Sequence, residues 1–182
     1  MGEPATYAEY LALEADSEVR LEFVDGSVYA MAGGTPEHAR LAMAIGAELR
    51  VVLRAKGCAV YSSDLKLRID ATNRSTYADV AVVCGDERHA DIDPNAVTNP
   101  TIIVEVLSPS TEAADRGEEW RHYQRLPSLR EYVLISQDEP YVEVFRRDEW
   151  ILRTSVAGGV LELPSHGVSI AVDAIYADPR AV

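Results

Sequence analysis

Two carboxylates stand where a chain built only for stability would not put them. Asp79 lies inside Tyr77-Ala78-Asp79-Val80-Ala81-Val82-Val83, and Glu105 inside Ile102-Ile103-Val104-Glu105-Val106-Leu107. Each interrupts an apolar run of the kind that marks a strand buried on both faces. An ionised, unpartnered carboxylate in such surroundings costs on the order of several kcal/mol. A paired base, a raised pKa or a bound cation can offset that cost. On neighbouring strands the two acids would repel, and Mg²⁺ or Mn²⁺ between them would turn the repulsion into coordination. For either acid alone the competing reading is an ion pair, or a place at the wet end of a strand.

Three further residues are candidates. Glu22, between Leu21 and Phe23, is a third acid, and a solvated strand face is its competing reading. His38 falls in the first turn of a helix, where the dipole disfavours imidazolium. A neutral ring could ligate metal or hold a phosphate-linked water, while a surface histidine is the plainer alternative. Lys66, on a strand face with Asp64 and Arg68, could hold a nucleophilic water or offset transition-state charge, or simply coat a solvated edge. The segment after Pro109 carries Asp115, Arg116, Glu118, Glu119, Arg121 and Arg125. Arg121 and Arg125 share a helix face and could touch phosphates, although such faces are commonly salt-bridged solvent surface.

The elements that must position these groups follow from caps, turns and periodicity. Thr6 with Glu9 predicts a capping box opening a helix to Leu13 or a little beyond. Asp25-Gly26 predicts a hairpin turn between apolar-rich runs. Thr35-Pro36 opens a helix with Leu41, Ile45 and Leu49 at helical spacing, stopped at Gly57. Strands are predicted over 59–69, 77–84 and 101–107, with 70–75 as a polar turn and 85–99 as a polar loop. Ser110 or Thr111 caps a helix to about Leu126. A hairpin over 131–136 and 141–147 and short C-terminal strands complete the order. That order predicts a mixed sheet flanked by helices, in the α/β or α+β class.

The length of 182 residues suits one domain with a full core. Cys58 and Cys84 lack metal-site or disulfide-framework spacing and are expected as two buried thiols in a reducing cytoplasm. The N-terminal segment has no apolar stretch of the signal-peptide kind, and no run is long enough to span a bilayer. A cytoplasmic protein without membrane partners is therefore expected. The net charge of −13 repels a phosphate backbone at long range, so DNA as a partner requires locally gathered positive charge or a metal.

Four segments carry a family resemblance. They are Arg20-Leu21-Glu22-Phe23-Val24-Asp25-Gly26, the run around Asp79, Asn99 to Thr111 with its Glu-Val-Leu-Ser-Pro-Ser-Thr core, and Tyr123 to Tyr132. Together the chain resembles the Uma-two family of the restriction-endonuclease-like, PD-(D/E)XK superfamily. The resemblance implies a restriction-endonuclease-like core, a mixed central sheet with helices on both sides. It also implies Mg²⁺-dependent phosphodiester cleavage with Asp79 and Glu105 as the motif acids, Glu22 as the N-terminal acid and His38 as the family's histidine. Three departures stand out. Ala78 replaces the motif proline. Leu107 occupies the motif lysine position, and Glu119 the position of an alternative lysine on the following helix. Lys66 is the candidate substitute. Two readings stay open: a metal-dependent nuclease acting on DNA, or a weak or inactive relative serving as a binding or regulatory protein. Apolar strands near the C-terminus point to a homodimer in either case.

Overall fold

The computed structural model describes residues 4–31, 33–148, 150–178 and 180; the first three residues of the segment read for a leader lie outside them. The chain runs α1 (Tyr7–Ala15), β1 (Leu21–Val24), β2 (Ser27–Ala30), α2 (Pro36–Leu53), β3 (Cys58–Ser62), β4 (Lys66–Ile69), β5 (Arg74–Tyr77), β6 (Val80–Cys84), β7 (His89–Ala90), β8 (Asp93–Val97) and β9 (Ile102–Val106). A composite helix follows: α3 (Glu112–Ala114), a π-helical turn (Asp115–Glu119) and α4 (Trp120–Tyr123). Then come β10 (Glu131–Ile135), β11 (Tyr141–Arg146), β12 (Ile151–Val156), β13 (Val160–Leu163), β14 (Val168–Ala171) and α5 (Val172–Tyr176).

Local chemistry sets the helix starts. The Thr6 hydroxyl accepts from the Glu9 amide while Glu9 reaches back to the Thr6 amide, a complete capping box. Thr35 accepts from the His38 amide and Pro36 occupies the first turn. Gly57 follows the last turn at φ 70°, a left-handed stop that a Cβ would strain. Asp25 and Gly26 both take positive φ, as a two-residue hairpin needs.

Among the described residues the strands form two six-stranded sheets and a small hairpin. One sheet has the order β2-β1-β5-β4-β8-β7, the other β12-β11-β10-β9-β6-β3, and β13 pairs with β14. The second sheet is mixed: β9 runs parallel to β10 and antiparallel to β6. Alternation along β9 explains how its two faces fill. Ile102, Val104 and Val106 pack with Leu41, Ile45, Leu49 and Leu53 of α2. Ile103 packs oppositely, with Leu67 and Ile69 of β4 and with Trp120 and Tyr123 of the composite helix. Leu49 is fully buried in the first of these clusters. Leu49→Ala should cost roughly 2–5 kcal/mol in chemical denaturation; a loss below about 1 kcal/mol would mean α2 is not seated as described.

Four expectations are corrected. The strand predicted over 59–69 is two strands in different sheets, broken after Ser62, so alternation across the break carries no single face. The strand predicted from Tyr77 is likewise split: β5 belongs to the first sheet, β6 to the second, and Ala78–Asp79 cross between them. The region 85–99 is not wholly loop, since β7 and β8 form there. Cys58 and Cys84 are not separate thiols. They sit opposite each other on paired β3 and β6 with Cα atoms 4.0 Å apart and are bonded as a disulfide. Sequence spacing does not report cross-strand proximity, which is what brings them together. No helix among the described residues is long and apolar enough to cross a membrane.

Candidate active site

The pairing of β6 with β9 decides where the two acids meet. Val80 lies opposite Val104, so one step further places Asp79 opposite Glu105, on the same side of the sheet. The Asp79 amide donates to Glu105 Oε2 at 3.2 Å. Asp79 Oδ2 accepts from the Val106 amide at 2.8 Å and lies 3.0 Å from His38 Nε2. Glu105 Oε1 accepts from the Tyr123 hydroxyl at 2.8 Å. These contacts fix both carboxylates from strand, helix and ring at once.

The electrostatics are dominated by surplus negative charge. Burial, then the Asp79, Glu119 and Asp115 carboxylates, push Glu105 well above the usual carboxylate range. Asp115 is pushed up to about 6, chiefly by burial and further by Asp79. Glu119 is pushed up to about 7 by burial and by Glu22 and Asp115, with the Arg74 guanidinium pulling the other way. His38 is raised rather than lowered, because its bond to Asp79 outweighs burial. This corrects the expectation of a neutral ring set by the helix dipole: a carboxylate at hydrogen-bond distance exceeds a partial charge. With Nε2 turned to Asp79, His38 orients that acid. Gly34 permits this, since a Cβ there would come within 2.8 Å of His38 Nδ1.

Glu22 lies at the margin of the cluster. It accepts from the Thr76 hydroxyl and the Tyr77 amide and stands 3.9 Å from Arg74. Arg74 is itself bonded to Glu119. Glu22 thus joins the group through Arg74, with no direct contact to Asp79 or Glu105 among the described hydrogen bonds and ion pairs. Lys66 is a correction. It is buried in the other sheet, bonded to Asp93 at 2.9 Å and to Glu14, and it contacts neither motif acid. The strand break after Ser62 put it there, and β4 is buried along its whole length rather than solvated on one face.

Four residues of the site are not among the ligands and catalytic groups that the sequence offers. Arg74 falls in a stretch that reads as a polar turn. Asp115 and Glu119 lie on a helix whose charges read as solvent surface, with Glu119 marked only as the place of an absent lysine, and Tyr123 carries no role. For the last three the spacing of four, 115-119-123, is the signal that finds them, because it lines one helix face. The π-helical turn over Asp115–Glu119 adds a second clue of a kind frequent at functional sites. The buried Tyr132 hydroxyl donates to the Asp115 carbonyl at that turn.

A mixed sheet that pairs acids across inner strands, with helices on both sides, defines a restriction-endonuclease-like core. The chain superposes on a crystal structure described as "a putative nuclease belonging to DUF820" from Anabaena variabilis ATCC 29413, with a TM-score of 0.78 over 95% of this chain and 98% of that one at 16% identity. Residues 7–173 match the family model described as "Uma2: Putative restriction endonuclease", and the chain belongs to that family. Two relatives come from Synechocystis sp. (strain ATCC 27184 / PCC 6803 / Kazusa). One, "Uncharacterized protein slr1290", is 37% identical, covering 92% of this chain and 89% of its own length. The other, "Uncharacterized protein sll1609", is 32% identical, covering 81% and 85%.

Proposed function

We propose that this chain is a Mg²⁺- or Mn²⁺-dependent endonuclease acting on DNA. The observation that carries the reading is Glu105. It lies inside the protein, opposite Asp79, with its pKa driven up, and its oxygens are held by a tyrosine hydroxyl and a backbone amide that bring no charge. Such a group is relieved by a cation.

The donors fit one. Carboxylate oxygens of Asp79 and Glu105 suit a hard divalent ion. Among the described residues no three His, Cys, Asp or Glu side chains are grouped to hold a metal by themselves. That matches Mg²⁺, which is commonly bound by one or two carboxylates while water and substrate phosphate complete its shell. Bound there, the ion would neutralise charge at the scissile phosphate and lower the pKa of its water. The chain's own contribution is positioning. His38 and the Val106 amide aim Asp79, and Tyr123 and the Asp79 amide aim Glu105. Arg74, bonded to Glu119, is a cation beside the cluster.

The second reading, a weak or inactive relative, is favoured by one observation. Glu119 stands where the resemblance expects a lysine, and it engages Arg74. Metal titration followed by heat stability separates the two. For wild type, saturating Mg²⁺ or Mn²⁺ should raise Tm by roughly 5–10 °C, and Asp79→Ala should abolish the shift. Supercoiled plasmid and single-stranded DNA should be cut by wild type and not by Glu105→Ala. Cleavage that survives Glu105→Ala overturns the mechanism; no response to millimolar metal together with no cleavage establishes the second reading.

A further inference from the structure

A cavity of about 810 Å³ opens between α2 and β3, and Asp79 and His38 form part of its wall. Ala39, Ala42 and Gly46 of α2 line one side, with Val60 and Val80 of β3 and β6 across from them. Positions 39, 42 and 46 are one helical stripe, and Arg50 continues it at the far end. From His38 to Arg50 the helix advances roughly 18 Å at its ordinary rise.

Two details mark this as a space kept open. Gly46 sits in mid-helix, where glycine costs about 1 kcal/mol relative to alanine. No packing demands it: a Cβ there would meet only Val80 Cγ2, at an ordinary 3.7 Å. Arg50 is exposed, and among the described residues no carboxylate pairs with it, whereas Arg20 of the same cavity wall is paired with Asp64. A trough, its apolar side chains joined by Glu18, Arg20 and Ser62, therefore runs from Asp79 and His38 to the Arg50 guanidinium.

Resting on the nuclease reading, we propose that this trough takes a single-stranded segment of nucleic acid, with unpaired bases against its apolar wall and a phosphate at Arg50. Duplex ends base faces in stacks and pairs, so only an unpaired strand can offer them to an apolar surface. The charge balance agrees. With 30 acidic against 17 basic residues, the surface disfavours two phosphate backbones at once, while a trough with a local cation can take one.

The test is equilibrium binding of labelled single-stranded and duplex oligonucleotides of one sequence to the full chain, in Ca²⁺ to hold back cleavage, across a salt series. Single strand should bind at least tenfold tighter than duplex. Gly46→Leu, which fills the trough, should weaken single-strand binding tenfold or more while Tm stays level or rises. Arg50→Ala, at an exposed site, should lower the salt slope by about 1. Equal or tighter duplex binding, undetectable single-strand binding, or an unchanged salt slope in Arg50→Ala overturns the proposal. Metal-dependent duplex cleavage with Gly46→Leu fully active overturns it while leaving the nuclease reading in place; absence of any metal-dependent cleavage removes that reading instead.

Discussion

Glu105→Gln should make the metal-free protein more resistant to heat and, in the same stroke, remove its metal-dependent cleavage. The two effects have one cause. In the absence of a cation the Glu105 carboxyl is buried among Asp79, Asp115 and Glu119, and burial with their repulsion disfavours its charge. An amide of the same shape still accepts from the Tyr123 hydroxyl and carries no charge to repel Asp79, although its NH₂ gives up the bond that Oε2 takes from the Asp79 amide. At pH 8 the gain should be on the order of 1 kcal/mol or more, since desolvating an ion costs several. A neutral amide is a poor ligand for a hard cation, so cleavage should fall by roughly 10³ or more. Differential scanning fluorimetry without and with Mg²⁺, beside a plasmid-nicking assay, reads both. A variant that is destabilised without metal would show that Glu105 is satisfied as it stands and that the site has no need of an ion.

The second large effect is a stability profile that tilts the unusual way with pH. Asp115 and Glu119 have folded-state values of about 6 and about 7, against ordinary values of 3.8 and 4.5. Below about pH 3 both are protonated whether the chain is folded or not, and they contribute no pH dependence. As pH rises, the unfolded chain ionises first while the folded chain keeps its protons, so the unfolded state is favoured progressively. The loss is complete above about pH 8 and is on the order of 3 kcal/mol per group before their mutual repulsion is shared out. Asp93 acts in the opposite sense. Burial raises it, but Lys66 and Tyr7 more than offset that and hold it below its ordinary 3.8, so it destabilises only at still lower pH. Metal-free wild type should therefore have a higher Tm at pH 5 than at pH 8. Asp115→Asn should flatten that slope, and Mg²⁺ at pH 8 should recover much of the lost stability. A Tm that rises from pH 5 to pH 8, or a slope unaffected by Asp115→Asn, would show the acids are not crowded as the structure has them.

Features with local causes are legible in the residues alone. Thr6 and Thr35 mark helix starts because their hydroxyls meet amides three residues on. Asp25-Gly26 marks a hairpin because both residues tolerate positive φ. Asp79 and Glu105 declared themselves by interrupting apolar runs, and the family followed from the motifs around them. Whatever depends on which strand lies beside which appears first in the folded chain. The break after Ser62 sends Lys66 into the other sheet, to Glu14 and Asp93, although alternation runs unbroken through it. Cys58 and Cys84 become a disulfide only because β3 and β6 pair in that register. Arg74 enters the site from a strand that reads as a turn, and Asp115 and Glu119 turn inward from a helix whose charges read as solvent-facing. The reason is the same in each case: a side chain's local pattern reports its angle about its own element, whereas its partner and its desolvation are set by elements far away in the chain.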